Sequence, residues 1–339
     1  MSLTAPAVPA HILVLPERRV DVLLALPAVY RLAEVLEREG RGAGTLVLVV
    51  RAHRDLVDLA LARGLRPFAA RIDIRNEFPL SLPADTVYCL DRSWRAGWAA
   101  WRSRAPHRVG FASGAPAFFY TESVVTKWNE HESEMDKNFK LLRARWGNEA
   151  IAPWDARTQA SLLADAKGTH EAAVGITLAP PMGHERRWDA KQIAELARVL
   201  TDQGVEVKLF GPASSAPLAE SVRSHHASLL VKNECADVAI AARLAQIESC
   251  DVLVASDLES MHLASDLAVP VVALCGAALQ DCGYGPWRRR ASVLSVSGTC
   301  AACEEEALKH KPRRAHVCIE RMQGARVYRE VRRFSDRLA

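Results

Sequence analysis

The strongest constraint on the fold is an alternation of short apolar runs with amphipathic stretches, which passes once through the first half of the chain and restarts near residue 172. A few consecutive apolar residues suit a strand buried on both faces. Apolar residues three and four apart suit the helix that covers it. In the first half, residues 11–15 (HILVL), 45–50 (TLVLVV), 86–90 and 108–111 read as strands. Residues 22–36 read as a helix, with Leu23, Leu26, Val29, Tyr30, Ala33 and Leu36 on one face. Residues 56–62 read as a short helix, and 132–146 as a longer one ending at Gly147.

The second series has strands at 174–178, 205–210, 228–231, 251–255 and 269–274, with helices at 190–200 (closed by Gly204), 238–247 and between the last two strands. A basic amphipathic helix is expected over 325–338. This βαβα order predicts an α/β fold of two Rossmann-like domains facing across a cleft. The expected divisions are a first domain at 1–165, a second at 172–322 and a closing helix at 323–339. Ligands of open parallel sheets sit outside the carboxyl ends of the strands, so the loops there hold the chemistry.

Composition narrows the partners. The 339 residues carry a net charge of +4, too little for a dedicated nucleic-acid binder and compatible with acidic substrates. No apolar run approaches the ~20 residues of a membrane span. Residues 1–10 lack the pattern of a signal peptide. The expectation is a cytoplasmic protein, at most peripheral on the inner membrane face. Its eight cysteines then read as thiols or metal ligands rather than disulfides.

Five segments carry candidate chemistry. The loop after the first strand leads to Asp21, which could take a proton from an attacking hydroxyl or could simply cap a helix. Arg186 and Arg187 precede a helix start, where guanidinium and free N–H groups suit a diphosphate, or they pair with Glu185 in solvent. Asp257, Ser260, Met261 and His262 follow a buried strand and suit ribose or phosphate contacts, although a histidine at such a start equally packs or caps. Gly211 and Gly276 follow strands and permit close backbone approach, as plain surface loops also would. Cys300 and Cys303 form a CxxC pair with Cys318 downstream. With a fourth ligand from Cys282, His310 or His316 they would hold a tetrahedral ion; without one they are free thiols. There is no P-loop, GxSxG, HExxH or GxGxxG.

In order and spacing, several segments resemble glycosyltransferase family 9, the lipopolysaccharide heptosyltransferases. They are VDVLLALPAVYRL near the start, HRVGF at 107–111, FFYTESV at 118–124, HESEMDKNFKLLRARWG at 131–147 and ERRWDAKQIAELARVL at 185–200. VLVASDLESMHLASDLAVPVVALCG at 252–276 and YGPW at 284–287 complete them. The resemblance implies a GT-B fold, with acceptor bound mainly by the first domain, nucleotide sugar by the second, and the closing helix packing back on the first domain. It implies transfer with inversion and no cofactor for catalysis.

By the same resemblance Asp21 matches the acidic residue proposed as base, Arg187 the diphosphate-holding basic residue before Trp188, and Asp257 and His262 the Asp and His of D-[ST]-G-x-x-H. The implied partners are an ADP-sugar donor and a glycan, lipopolysaccharide or protein acceptor. A related group that heptosylates autotransporter proteins carries cysteine-bound iron, which makes Cys300, Cys303 and Cys318 candidates for structural zinc or iron. The chain departs from the pattern at Val20, Asp189, Leu258 and Glu259, where the family has Gly, Pro, a small residue and Gly. Two alternatives follow: a different nucleotide-hexose donor, or a degenerate member that binds a glycan or partner without turnover.

Overall fold

The computed structural model describes residues 10–40, 46–50, 53–62, 68–73, 84–112, 117–126, 132–151, 172–178, 188–274, 283–287, 290–295, 319 and 322–334. The chain divides into two compact units, 1–163 and 164–339.

In the first unit the described elements are β1 (Ala10–Val14), α1 (Arg19–Arg38), β2 (Leu46–Val50), α2 (Arg54–Ala62), β3 (Phe68–Asp73), β4 (Ala84–Cys89), α3 (Trp94–Arg102), β5 (His107–Phe111), β6 (Glu122–Val124) and α4 (Glu134–Ala150). The six strands form one sheet in the order β3-β2-β1-β4-β5-β6, parallel throughout. Ile12, Leu13 and Val14 of β1 and Val87, Tyr88 and Cys89 of β4 are all buried, as a sheet covered on both faces demands. On one face α3 packs through Ala96 and Ala100 against Ile12, Val14 and Val87. Elsewhere in the unit α1 packs against α4.

Proline interrupts α1 at Pro27, where it removes one backbone donor. One residue from the carbonyl so released, Leu24 O accepts a hydrogen bond from Asn138 Nδ2 of α4 at 3.1 Å. The expected stop at Gly147 is a left-handed break (φ 78°), after which the helical path resumes to Ala150.

The second unit contains β7 (Ala173–Thr177), α5 (Ala190–Thr201), β8 (Glu206–Phe210), α6 (Ala216–His225), β9 (Val231–Asn233), α7 (Ile240–Glu248), β10 (Val252–Ala255), α8 (Leu258–Asp266), β11 (Val271–Leu274), β12 (Ala291–Leu294) and α9 (Gly324–Arg332). Its sheet runs β12-β11-β10-β7-β8-β9, again parallel. Helix α5 buries Ile193, Leu196, Ala197 and Leu200 against Val174, Ile176, Val207 and Leu209. Gly204, at φ 76°, closes it as expected.

Val327 and Val331 of the last helix lie in the core of the second unit, and α9 packs on α5. The contact is tight because residue 324 is glycine. A Cβ there would stand 2.5 Å from the Gln192 carbonyl oxygen and 3.1 Å from the Leu196 nitrogen. Gly324 N also donates to Gln192 Oε1 at 2.9 Å.

Candidate active site

Each sheet reverses its direction of winding once. In the first unit the reversal falls between β1 and β4, in the second between β7 and β10. Loops leaving the carboxyl ends of those two strands diverge to opposite faces, which opens a crevice for a ligand.

In the first unit the crevice is edged by the segments after Val14 and after Cys89. Asp21 lies in the first turn of α1. It is not the cap: Arg18 occupies that position, with extended backbone and no side-chain cap hydrogen bond. The Asp21 carboxylate, about a quarter exposed, pairs with Arg18 Nε at 3.2 Å. Next to it Arg19 forks onto both oxygens of Asp55 at 2.9 and 2.8 Å, tying the start of α1 to the start of α2.

Across the switch point Asp91 is buried and accepts from Ser93 N at 2.6 Å. Beyond it Arg92 Nη2 meets Glu134 Oε2 at 2.7 Å, and Glu134 Oε1 meets Lys137 Nζ at 2.7 Å. Glu134 and Lys137 are both buried, so one carboxylate serves two cations. Arg92 also lies 4.4 Å over the Phe111 ring at the end of β5. Sequence reasoning missed this cluster. Charged residues in a helix at i and i+3 read as a solvated face, and burial alone distinguishes them.

In the second unit the carboxyl ends of β7 and β10 are cross-linked. Ser256 Oγ donates to the Thr177 carbonyl at 2.9 Å, and Ser256 N donates to Thr177 Oγ1 at 3.0 Å. This pair, also missed, sets the start of α8; the available signal was a threonine and a serine closing two wholly apolar strands. Asp257 follows as the helix cap, its Oδ1 accepting from Ser260 N at 2.8 Å. Glu259 stands in the first turn, where a negative charge suits the helix dipole but opposes an anionic ligand.

Met261 and His262 are each 1% exposed, so in this arrangement neither offers side-chain surface to a ligand. Neither ring nitrogen of His262 has a hydrogen-bond partner among the described residues. Gly211 is also structural here. A Cβ would stand 2.7 Å from the Leu178 carbonyl oxygen and 2.9 Å from Ser215 Cβ, so the glycine lets the end of β8 lie against the end of β7. Arg187, Gly276, Cys300, Cys303 and Cys318 lie outside the described residues. Among the described residues no group of three His, Cys, Asp or Glu side chains is arranged to hold a metal ion, and no helix is long and apolar enough to cross a membrane.

Burial pushes the His262 pKa down to about 3 from 6.5, so the folded protein holds the ring neutral. The unfolded chain binds that proton near pH 6.5. The stabilisation is therefore complete above that value and is lost as the pH falls toward 3. Relative to pH 7.5, the loss at pH 5 is about 2 kcal/mol. The thermal midpoint falls over this range, and His262→Leu flattens that part of the fall in a melting series.

Two doubly wound parallel sheets in tandem, each with a helix-start carboxylate beside its switch point, define a protein of the GT-B fold class. The sequence profile of glycosyltransferase family 9 (heptosyltransferase) matches residues 81–312, and the chain belongs to this family. It is 24% identical over 168 residues to the lipooligosaccharide heptosyltransferase 2 of Campylobacter jejuni, covering 48% of this chain and 51% of that one. The chain thus spans about half the length of this curated relative.

Solved structures extend the likeness in fold to nearly the whole chain. Escherichia coli ADP-heptose lipopolysaccharide heptosyltransferase II superposes with a TM-score of 0.70 at 18% identity, covering 96% of this chain and 98% of that one. The family 9 protein of Veillonella parvula gives 0.71 at 15%, covering 98% and 99%. The iron-containing dodecameric glycosyltransferase TibC of enterotoxigenic Escherichia coli gives 0.55 at 14%, covering 98% and 78%.

Proposed function

We propose that this chain is an inverting glycosyltransferase that moves heptose or a related sugar from an ADP-sugar to a lipopolysaccharide core, another glycan or a protein hydroxyl. The observation that carries the reading is Asp21 in the first helical turn beside the switch point of the first sheet, in a chain whose family is named for heptose transfer. Asp21 takes the proton of the acceptor hydroxyl as its oxygen bonds to the anomeric carbon. The bond from that carbon to the diphosphate breaks on the opposite side, and the nucleoside diphosphate leaves.

The second unit holds the donor at the edge formed by Gly211, Asp257 and Ser260, with Arg187 and Gly276. Met261 and His262 fix α8 from inside. Free N–H groups at helix starts, with Arg187, stabilise charge growing on the diphosphate. Arg92, the solvent-facing partner of buried Glu134, favours an acidic acceptor such as a phosphorylated glycan.

The step needs no metal ion. Cys300, Cys303 and Cys318 are candidates for a structural zinc or iron site, a reading favoured by the iron in TibC. The protein works in the cytoplasm with at most peripheral membrane contact and does not engage nucleic acid.

Calorimetric titration with ADP-heptose, UDP-glucose and GDP-mannose, followed by transfer assays on truncated lipopolysaccharide, tests the proposal. Binding and transfer specific to the ADP-sugar are expected. Preference for another nucleotide-hexose would overturn the donor assignment. Glu259 favours one rival, a non-catalytic member in which its charge repels the diphosphate; absence of binding to all three donors by the folded protein would establish it.

A further inference from the structure

Helix α3 is built inside out. Its buried face consists of Ala96, Gly97, Ala99 and Ala100, while Trp94, Trp98 and Trp101 are 58%, 39% and 51% exposed. The spacing i, i+4, i+7 puts the three indoles on one outward stripe. Phe118, 68% exposed, extends the apolar surface from the short turn Ala117–Phe119, which packs on α3. Ordinary surface helices bury large apolar side chains and expose small or charged ones. A contiguous exposed aromatic stripe marks a contact surface.

The charge around the stripe selects the partner. From Arg92 to Thr121 the chain contains five arginines and no Asp or Glu. Arg92 pairs with Glu134, and Arg108 is turned inward onto the carbonyls of Ala105 and Phe119. Arg95, Arg102 and Arg104 are exposed. Arg95 lies 5.9 Å over Trp94 and Arg102 lies 4.8 Å over Trp98, so the guanidinium groups border the indoles. Arg104 adopts a left-handed backbone conformation (φ 55°) just past the end of α3. Indoles bordered by arginines, in a segment that itself carries no carboxylate, match the headgroup layer of an anionic bilayer: the rings settle at its boundary and the cations meet its phosphates.

We propose that the outer face of α3, with Trp94, Trp98, Trp101, Arg95, Arg102 and Arg104, docks the protein on an anionic lipid surface. This gives a location to the peripheral contact proposed above. Its test reads vesicle binding rather than sugar transfer, so the two readings fail separately.

Sedimentation of the full chain with vesicles of phosphatidylglycerol and phosphatidylethanolamine, against pure phosphatidylcholine, is the experiment. Binding to the anionic vesicles alone, weakening as salt rises, is expected. Bromine-labelled lipids should quench part of the tryptophan emission. The triple variant W94S/W98S/W101S should lose that quenching and bind at least tenfold more weakly. R95Q/R102Q/R104Q should weaken binding about fivefold per arginine. Both variants change exposed positions, and unchanged circular dichroism and donor binding confirm that they fold. Three results would overturn the proposal: no vesicle binding by the wild-type chain, equal binding to neutral vesicles, or undiminished binding by both variants. A dimer in light scattering that W94S/W98S/W101S dissolves would assign the face to a second copy of the chain instead.

Discussion

Asp21→Ala abolishes sugar transfer while ADP-sugar affinity stays within about twofold. A positioned general base contributes typically 10²–10⁴ in rate, so turnover falls into the assay background. Asp21→Asn gives nearly the same loss, because the amide keeps the shape but takes up no proton. The structural cost is small. Asp21 is not the cap of α1, and its ion pair with Arg18 lies at the surface, so the thermal midpoint moves little. That separation is the test: measuring turnover, donor affinity and melting on the same variant distinguishes a reacting group from a helix-stabilising one. A parallel loss of binding and stability would remove Asp21 from the mechanism.

Trp188→Ala unfolds the second unit at markedly lower temperature. Trp188 is 3% exposed in the core of that unit, and its Nε1 donates to the Met322 carbonyl at 2.6 Å. Truncation leaves a cavity and an unpaired carbonyl beside the start of α9. Large-to-small replacement of a buried tryptophan costs about 3–5 kcal/mol, which lowers the melting temperature by roughly 10 °C in a unit of this size. Trp188→Phe retains most of the ring and loses the donor, for about 1–3 kcal/mol. Calorimetric melting separates the two contributions. Trp188 directly follows Arg187, so the alanine variant should also weaken donor binding even where it remains folded. Unchanged melting in Trp188→Ala would show that α9 is held without this residue.

The long buried elements were legible in the sequence because their periodicity is local. VGIT in β7, VLVA in β10 and the face of α5 each state their structure within a dozen residues. β3, β6 and β12 were not read. β6 has three residues, and β6 and β12 lie at sheet edges, where half-buried positions dilute the apolar signal. β9 begins at Val231, where the reading of 228–231 ends, because a turn precedes it. Helix α3 was missed for a related reason: its large apolar residues point outward and its buried side is alanine and glycine.

At the candidate site, segment order and the loops after the strands were readable, and Asp21 and Asp257 could be named. Their placement was not. Whether a carboxylate caps a helix depends on one residue of boundary, and Asp21 and Asp257 fall on opposite sides of that line. His262 looks polar and reactive in sequence, yet its side of α8 is inside.

By itself the sequence determined two rounds of βα alternation, since apolar periodicity acts over a single element. Only the tertiary structure decided which strands meet at the two switch points, that α9 belongs to the second unit, and that Lys137 is buried while Trp94 is exposed. Those outcomes depend on which face of each element finds a partner far along the chain, and no local pattern encodes a distant neighbour.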